Sequence, residues 1–181
     1  LLNKFHFTFK NMLIIQNPYG MAPLSSMLVF GTDEKCMVEY HVQGRTEEMS
    51  FTYRTKTSAR RHMIPVFGLY AESKNIVDVT LYSEKMEQIE HRSLVIVTNP
   101  LPERLQNVVC PDRKMKSRKH ELMMVTGGLK GYTYAFDRDG AVRWYLARLP
   151  RQYGIYLYDN GHFMYPERKI NSPTYINPHS N

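Results

Sequence analysis

Short runs in which apolar and polar residues alternate recur along the first hundred residues, and they constrain the fold more than any other feature. The runs CMVEYHVQG (36–44), MSFTYRT (49–55) and NIVDVTLYS (75–83) all have the period of two that is typical of strands. The QGRTEE connection between the first two runs predicts an antiparallel hairpin. The inward positions of the first and third runs are Val38, Tyr40, Val42, Val77, Val79 and Leu81.

Other short apolar runs fill the gaps between these strands. APLSSMLVFGT (22–32) predicts a strand that ends at Gly31. HMIPVFGLYAES (62–73) contains Pro65 and Gly68, which restrict it to an edge strand or an irregular loop. SLVIVTN (93–99) is continuously apolar and predicts a strand buried on both faces. With MLIIQ (12–16), the first hundred residues have about six or seven short strands and no helix, which indicates a small β-sandwich.

The chain changes character after residue 102, and we predict three parts with boundaries at 1–102, 103–120 and 121–181. The middle part is polar and basic and predicts a linker. The last part contains the turn sequences DRDG (137–140) and DNG (159–161), which favour tight hairpins. An aromatic hairpin with an aspartate–glycine tip is typical of one β-propeller blade, so this part predicts an incomplete propeller.

Composition excludes several classes of protein. Apolar residues make up 43% and charged residues 23% of the 181 positions, which indicates a folded globular protein. No apolar run is long enough to span a membrane. The net charge of +7 allows nucleic-acid binding, but aromatic residues are not interleaved with the basic run at 113–120, so we expect no nucleic-acid partner. Cys36 and Cys110 lack metal-ligand spacing and are predicted to be free thiols, with one disulfide as the alternative.

None of the local patterns predicts catalysis or metal binding. The sequence contains no P-loop, dinucleotide fingerprint, serine nucleophile elbow or zinc-protease motif. Asp137 and Asp139 lack the later oxygen ligands of a calcium loop and predict a turn instead. Glu39 and His41 are predicted to lie on an exposed strand face. His162 follows a hairpin turn, where a structural position is favoured over a catalytic one.

Three segments in order carry a resemblance to a known family. They are NPYGMAPLSSML (17–28), IPVFGLYAESKNIVDVTL (64–81) and GYTYAFDRDGAVRWYL (131–146). Together they resemble the bacterial arylsulfate sulfotransferases, in which an Ig-like β-sandwich precedes a six-bladed β-propeller. The resemblance implies an all-β fold: an N-terminal Ig-like β-sandwich followed by the first blade or so of a propeller. The positions that carry it include Pro18, Tyr19, Gly20, Pro23, Pro65, Gly68, Tyr70, Asp137, Gly140, Arg143 and Trp144.

The resemblance also implies a reaction. Members of this family move a sulfuryl group from an aryl sulfate donor to a phenol through a sulfohistidine, without PAPS and without a cofactor. No histidine of this chain matches the family's catalytic motif, so we expect the nucleophile beyond residue 181 and no activity from this chain alone. Tyr19 and His162 are candidates for substrate contact, although a structural role is favoured for both.

The same resemblance sets the expected partners and location. The expected partners are a phenolic sulfate donor and a phenol acceptor. The resemblance also allows a homodimer, and it implies export to the periplasm. The alternative is a stand-alone β-rich interaction module without catalytic activity.

Overall fold

The structure, a computed structural model, describes residues 7–18, 20–108, 122–126 and 131–147, together with the backbone of three short strands near the C-terminus. These residues contain no α-helix, and one turn of 3-10 helix (Glu47–Met49) interrupts the strands. The predicted all-β class is therefore confirmed. The strands are β1 (Leu13–Gln16), β2 (Ser26–Val42), β3 (Phe51–Arg54), β4 (Ala59–Val66), β5 (Lys74–Tyr82), β6 (Gln88–Val97), β7 (Met123–Val125), β8 (Tyr134–Phe136), β9 (Val142–Tyr145), β10 (Tyr156–Leu157), β11 (Phe163–Pro166) and β12 (Pro173–Ile176).

The 17-residue strand β2 organises the first six strands. Its first part pairs with β1 and β4, and its second part pairs with β3 and β5, while β6 pairs with β5. All these pairings are antiparallel, and the register shifts between Gly31 and Cys36. The first part of β2 thus pairs with one set of strands and its second part with another, and buried side chains from both sets form one core.

The prediction that Gly31 ends a strand is wrong. The backbone N–H of Gly31 donates to the carbonyl oxygen of Phe7 at 2.7 Å, and Gly31 lies opposite Arg61 of β4. Because both edges of the backbone keep partners at this point, the strand continues through the glycine. The two runs that predict separate strands, 22–32 and 36–44, are therefore parts of one strand.

The predicted inward positions on β2 and β5 are confirmed. Val38, Val42, Val77 and Val79 are fully buried, and the β2–β3 hairpin forms as predicted, with the 3-10 turn in its connection. The prediction that 62–73 is an edge strand or an irregular loop is confirmed: residues 62–66 belong to β4, which pairs only with β2 among the described strands, and an irregular loop follows.

The prediction that SLVIVTN is buried on both faces is wrong. Val95 and Val97 are 61% and 54% exposed, whereas Leu94 and Ile96 are buried. In the described part of the chain, β6 pairs with β5 alone, so it is an edge strand with one covered face. An antiparallel sheet can leave its second face in water, and an apolar run alone does not reveal this.

Two further three-stranded sheets follow in the chain. Strands β7, β8 and β9 form one antiparallel sheet, and the backbones of β10, β11 and β12 form the other. The predicted DRDG hairpin is confirmed between β8 and β9. The predicted DNG turn lies outside the described residues, although β10 and β11 pair on either side of it. Searched over the described residues, the chain has no helix long and apolar enough to cross a membrane.

The β8–β9 hairpin packs into the same core as the first six strands. Tyr132, Tyr134, Phe136, Val142 and Tyr145 belong to one continuous cluster of buried side chains with the β2 and β5 valines. Leu105, in the predicted linker, is only 2% exposed and joins this cluster. The hairpin and the first six strands are therefore held together by burial as well as by the polar contacts described next.

Candidate functional site

A buried arginine on β9 joins the hairpin to the first six strands. The side chain of Arg143 is 1% exposed, and its guanidinium donates from Nε and Nη2 to the carbonyl oxygen of Gly68, at 2.8 and 2.5 Å. Its Nη1 donates to the carbonyl oxygen of Met49 at 3.1 Å. These two carbonyl groups belong to the loop after β4 and to the 3-10 turn. One side chain therefore binds two separate connections between the first six strands.

Asp137 supplies the countercharge for Arg143. Its Oδ2 accepts from Nη1 of Arg143 at 2.9 Å, and both side chains are almost wholly buried. Its Oδ1 accepts from the backbone N–H groups of Asp139 and Ala141, at 3.1 and 3.0 Å. Asp137 thus closes the predicted turn and neutralises the arginine at the same time. The turn prediction for the aspartate pair is confirmed, and Gly140 occupies it with φ +82°.

Tyr70 forms the third side of this site. Its ring lies under the Arg143 guanidinium, with 3.6 Å between Cζ and the ring centroid, which is a close cation–π contact. The Arg45 guanidinium lies 5.1 Å from the same ring, and the backbone N–H of Arg45 donates to the Tyr70 hydroxyl at 3.2 Å. Burial raises the pKa of Tyr70, and the Arg45 hydrogen bond and the nearby guanidinium charges oppose that rise.

The loop that presents Gly68 and Tyr70 is itself held by side chains. The buried Asn75 accepts from the Tyr70 N–H at 2.7 Å and donates to the carbonyl oxygens of Tyr70 and Ile96, at 3.1 and 3.2 Å. The Thr98 hydroxyl donates to the same Tyr70 carbonyl at 2.5 Å, and the Tyr40 hydroxyl accepts from the Phe67 N–H at 3.2 Å. Both backbone groups of Tyr70 therefore have partners away from water, as buried amides require.

Further contacts connect the hairpin to the rest of the chain. The Ala147 N–H donates to the carbonyl oxygen of Met21 at 2.8 Å, which joins the end of β9 to the NPYGMAPL turn. Asn107 accepts from the Val142 N–H at 2.9 Å. The surface pair Arg138–Glu48, at 3.5 Å, adds a contact between the hairpin tip and the 3-10 turn. The hairpin is thus fixed at both of its ends.

The structure brings five of the predicted motif residues into this one site, which we call the Arg143 site: Gly68, Tyr70, Asp137, Gly140 and Arg143. Trp144 lies beside it on β9, half-buried and opposite Ala135. Pro65 lies on β4 opposite Met27. Pro18, Gly20 and Pro23 lie in the turn before β2, in which the carbonyl oxygen of Met21 accepts from the Ala147 N–H after β9. Tyr19 and His162 lie outside the described residues.

Sequence reasoning overlooked Asn75, Thr98 and Arg45. The sequence does contain an indication for Asn75, because this polar residue occupies the inward position two residues before Val77 on an otherwise apolar strand face. A polar residue at such a position must find hydrogen-bond partners. Arg45 and Thr98 had no comparable signal, since both lie in connections whose path depends on the tertiary fold.

The Arg143 site has the chemistry of a structural joint. Arginine stays charged and cannot act as a base, and the guanidinium is already occupied by two carbonyl groups and a carboxylate. Within the described ranges, no group of three or more histidine, cysteine, aspartate and glutamate residues is arranged to hold a metal ion. The described histidines are His41, His62 and His91, and none of them lies at this site.

Comparison with known families agrees with this picture of the first six strands. Residues 13–99 match the model of the arylsulfotransferase Ig-like domain, a span that begins with β1 and ends two residues after β6. It includes the Pro65–Tyr70 segment and Asn75, and it excludes the hairpin with Arg143. No curated protein gives a significant match to the chain. The predicted resemblance to the arylsulfotransferases is therefore confirmed over residues 13–99, which are similar to the Ig-like domain of that family.

Proposed function

We propose that this chain is the N-terminal part of an enzyme that moves a sulfuryl group from an aryl sulfate to a phenol through a sulfohistidine, without PAPS or another cofactor. The family match over 13–99 is the observation that carries this proposal. In this proposal the nucleophilic histidine lies beyond residue 181. A neutral imidazole is a competent nucleophile near pH 7, so the chemistry needs no metal.

In this enzyme the described residues act as a scaffold. The proposed parts are the Ig-like domain at 1–102, the basic connection at 103–120 and the first propeller strands at 121–181. The Arg143 site supports this role, because Arg143 donates two hydrogen bonds to the loop after β4 and one to the 3-10 turn, while Asp137 of its own hairpin neutralises its charge. A rigid joint would hold the first blade at a constant angle to the Ig-like domain. Export to the periplasm and a homodimer belong to the same proposal.

The mass of the protein made by its native host tests the proposal first. We expect a denatured mass several times the 21.3 kDa of this chain. The purified native protein should transfer the sulfuryl group of p-nitrophenyl sulfate to phenol, and the 181-residue chain should not. A native product of about 21.3 kDa, or a longer one that transfers no sulfuryl group, would contradict the proposal that this chain is part of an enzyme.

The alternative is a stand-alone interaction module, and the outer face of the sheet favours it. Ile76 of β5 lies opposite Val95 of β6, and both are exposed together with Val97. If the native mass is near 21.3 kDa and the chain unfolds in one cooperative step, the module is supported. A longer, active native protein would contradict it.

A further inference from the structure

Strand β2 has a stretch without a neighbouring strand on one of its two edges, far from the Arg143 site in the fold. On this edge the Gly31 N–H donates to the carbonyl oxygen of Phe7 at 2.7 Å, and Met37 is the first residue that lies opposite β5, across from Tyr82. Among the described strands, none pairs with residues 32–36 on this edge, while β4 lies along the opposite edge. Five extended residues span roughly 16 Å, the length of a short added strand.

An open groove of about 550 Å³ lies at this break in the pairing. Its lining comes from the unpaired stretch of β2, from the N-terminal turn at 8–10, and from the adjoining ends of β5 and β6. Phe9 and Leu81 are each 3% exposed and supply apolar surface, and Ile89, which is 53% exposed, stands at the margin. The volume lies within the range of about 300–1,000 Å³ that is usual for binding pockets. The groove therefore offers both unpaired backbone and apolar surface.

This groove is acidic, although the chain as a whole is basic. Three carboxylates line it, those of Asp33, Glu34 and Glu90, against one cation among the lining residues, Lys10. Within the described part of the chain, none of the three carboxylates forms a salt bridge. The net charge of the whole chain is +7. The local field thus has the opposite sign to the rest of the surface, and it attracts cationic groups that the rest of the chain repels.

We propose that this groove, which we call the β2 groove, binds an extended basic segment of a partner protein by strand addition. The backbone of the segment pairs with the free edge of β2 over residues 32–36. Its apolar side chains pack on the apolar lining, and its lysine or arginine side chains reach the three carboxylates. In this mode of recognition the main-chain hydrogen bonds provide affinity and the side chains provide specificity. The proposal is independent of the sulfuryl-transfer proposal.

Peptide binding to the 181-residue chain tests the β2 groove. The probe is acetyl-Lys-Val-Lys-Val-Lys-amide with a neutral dye, which is basic, favours the extended conformation and has no charged terminus. Fluorescence anisotropy at low salt should show saturable binding of one peptide per chain, and added salt should weaken it. The peptide in which glutamate replaces each lysine should not bind.

A second control peptide separates strand addition from simple attraction of charge. Acetyl-Lys-Pro-Lys-Pro-Lys-amide has the same charge, but its prolines lack the N–H groups that an added strand must donate. We expect it to bind at least tenfold more weakly than the valine peptide. Equal binding of the two peptides, or no binding of the valine peptide, would overturn the proposal.

Substitutions on the surface of the chain identify the carboxylates that take part. Asp33→Asn, Glu34→Gln and Glu90→Gln should each weaken binding of the valine peptide about two- to fivefold, because each removes one exposed ion pair. The triple variant should lose at least tenfold. Glu103→Gln, at an exposed carboxylate outside the groove, is the matched control and should bind like the unchanged chain. Unchanged affinity in the triple variant would contradict the proposal.

Hydrogen exchange locates the bound peptide without any substitution. The valine peptide should slow exchange of backbone amides in residues 32–36 and leave exchange in β8 and β9 unchanged. Protection along another strand edge, such as that of β6 at 93–97, with none at 32–36, would overturn the assignment to the β2 groove.

Discussion

Two arginines of this chain have the same kinds of partner and very different surroundings. Arg143 pairs with Asp137 at 2.9 Å and stacks on Tyr70. Arg54 pairs with Glu39 at 2.5 Å, and its guanidinium lies 4.9 Å from the Tyr82 ring. The Arg143 side chain is 1% exposed and joins three parts of the chain, whereas the Arg54 side chain is 41% exposed and joins strands that already pair with β2.

This difference shows that burial, rather than the pairing itself, decides what an ion pair contributes. Water screens an exposed pair, so forming or losing it changes stability by about 1 kcal/mol or less. A buried pair is no great source of stability either, because both charges lose their hydration. Its removal is costly, however, since the remaining charge is left without a partner. The Arg143 site should therefore fix the position of the hairpin on the Ig-like domain specifically, because any other arrangement would leave a buried charge without its partner.

Replacing each arginine by methionine should give the largest contrast. We expect Arg143→Met to lower the free energy of unfolding by about 3–5 kcal/mol, because Asp137 and the Gly68 carbonyl lose their partner. Arg54→Met, the matched control, should cost about 1 kcal/mol or less. Urea unfolding of both variants measures the difference. Equal losses of stability in the two variants would show that burial does not make the Arg143–Asp137 pair more important than the exposed Arg54–Glu39 pair.

Gly68, whose carbonyl oxygen accepts hydrogen bonds from Arg143, can be compared with Gly20, a second glycine with positive φ. Gly68 has φ +81°, and an added Cβ would meet the Phe51 side chain at 3.3 Å. Gly20 has φ +70° but open space around it. The left-handed backbone should destabilise both alanine variants by about 1–2 kcal/mol, and Gly68→Ala should be destabilised more because Phe51 must move. Thermal unfolding would compare them, and a greater loss for Gly20→Ala would contradict this account.

The two tyrosines that lie against the arginines give a smaller effect. Tyr70→Phe keeps the ring under Arg143 and removes only the acceptor for the Arg45 N–H, which should cost about 1 kcal/mol. Tyr82→Phe removes a hydrogen bond of 3.4 Å to Glu39 on a half-buried side chain and should cost less. The midpoints of urea unfolding measure both changes. The comparison fails if Tyr82→Phe is the more damaging substitution.

The smallest effect concerns Asp78, on the same sheet face as Arg54. Burial raises the pKa of Asp78, but hydrogen bonds from Ser93 and Gln43, aided by His91 and His41, outweigh it and lower the pKa overall. Its stabilising contribution is therefore complete above the unfolded pKa and is lost as the pH falls through the lower folded pKa.

Asp78→Asn should accordingly make stability fall less steeply with acid between about pH 5 and pH 2. Urea midpoints measured across this range test the expectation, with the wild-type chain as the reference. An unchanged pH profile in Asp78→Asn would show that the outer-face hydrogen bonds leave stability unaffected.

Much of the fold was predictable because alternation is a local property. The period of two identified β3 and β5 and the inward valines of β2 and β5, and the DRDG sequence identified the β8–β9 turn. The errors at Gly31 and SLVIVTN have a common cause. Whether a strand continues, and whether its second face is covered, depends on neighbours that a local pattern does not contain.

The candidate sites were predictable only in part. Gly68, Tyr70, Asp137 and Arg143 are recognisable as motif residues, but nothing local indicates that they meet, since Gly68 and Arg143 are 75 residues apart.

The sequence by itself determined the all-β class, the positions of most strands and the family resemblance, because the hydrophobic period, the turn residues and the motifs are all properties of short segments. Only the tertiary structure decided which charges lie away from water. Burial of Arg143 requires a carboxylate from its own hairpin, carbonyl groups from two connections between the first six strands and a tyrosine ring at once. Such a set of partners exists only when the chain has folded, since it is assembled from segments that are far apart in the sequence.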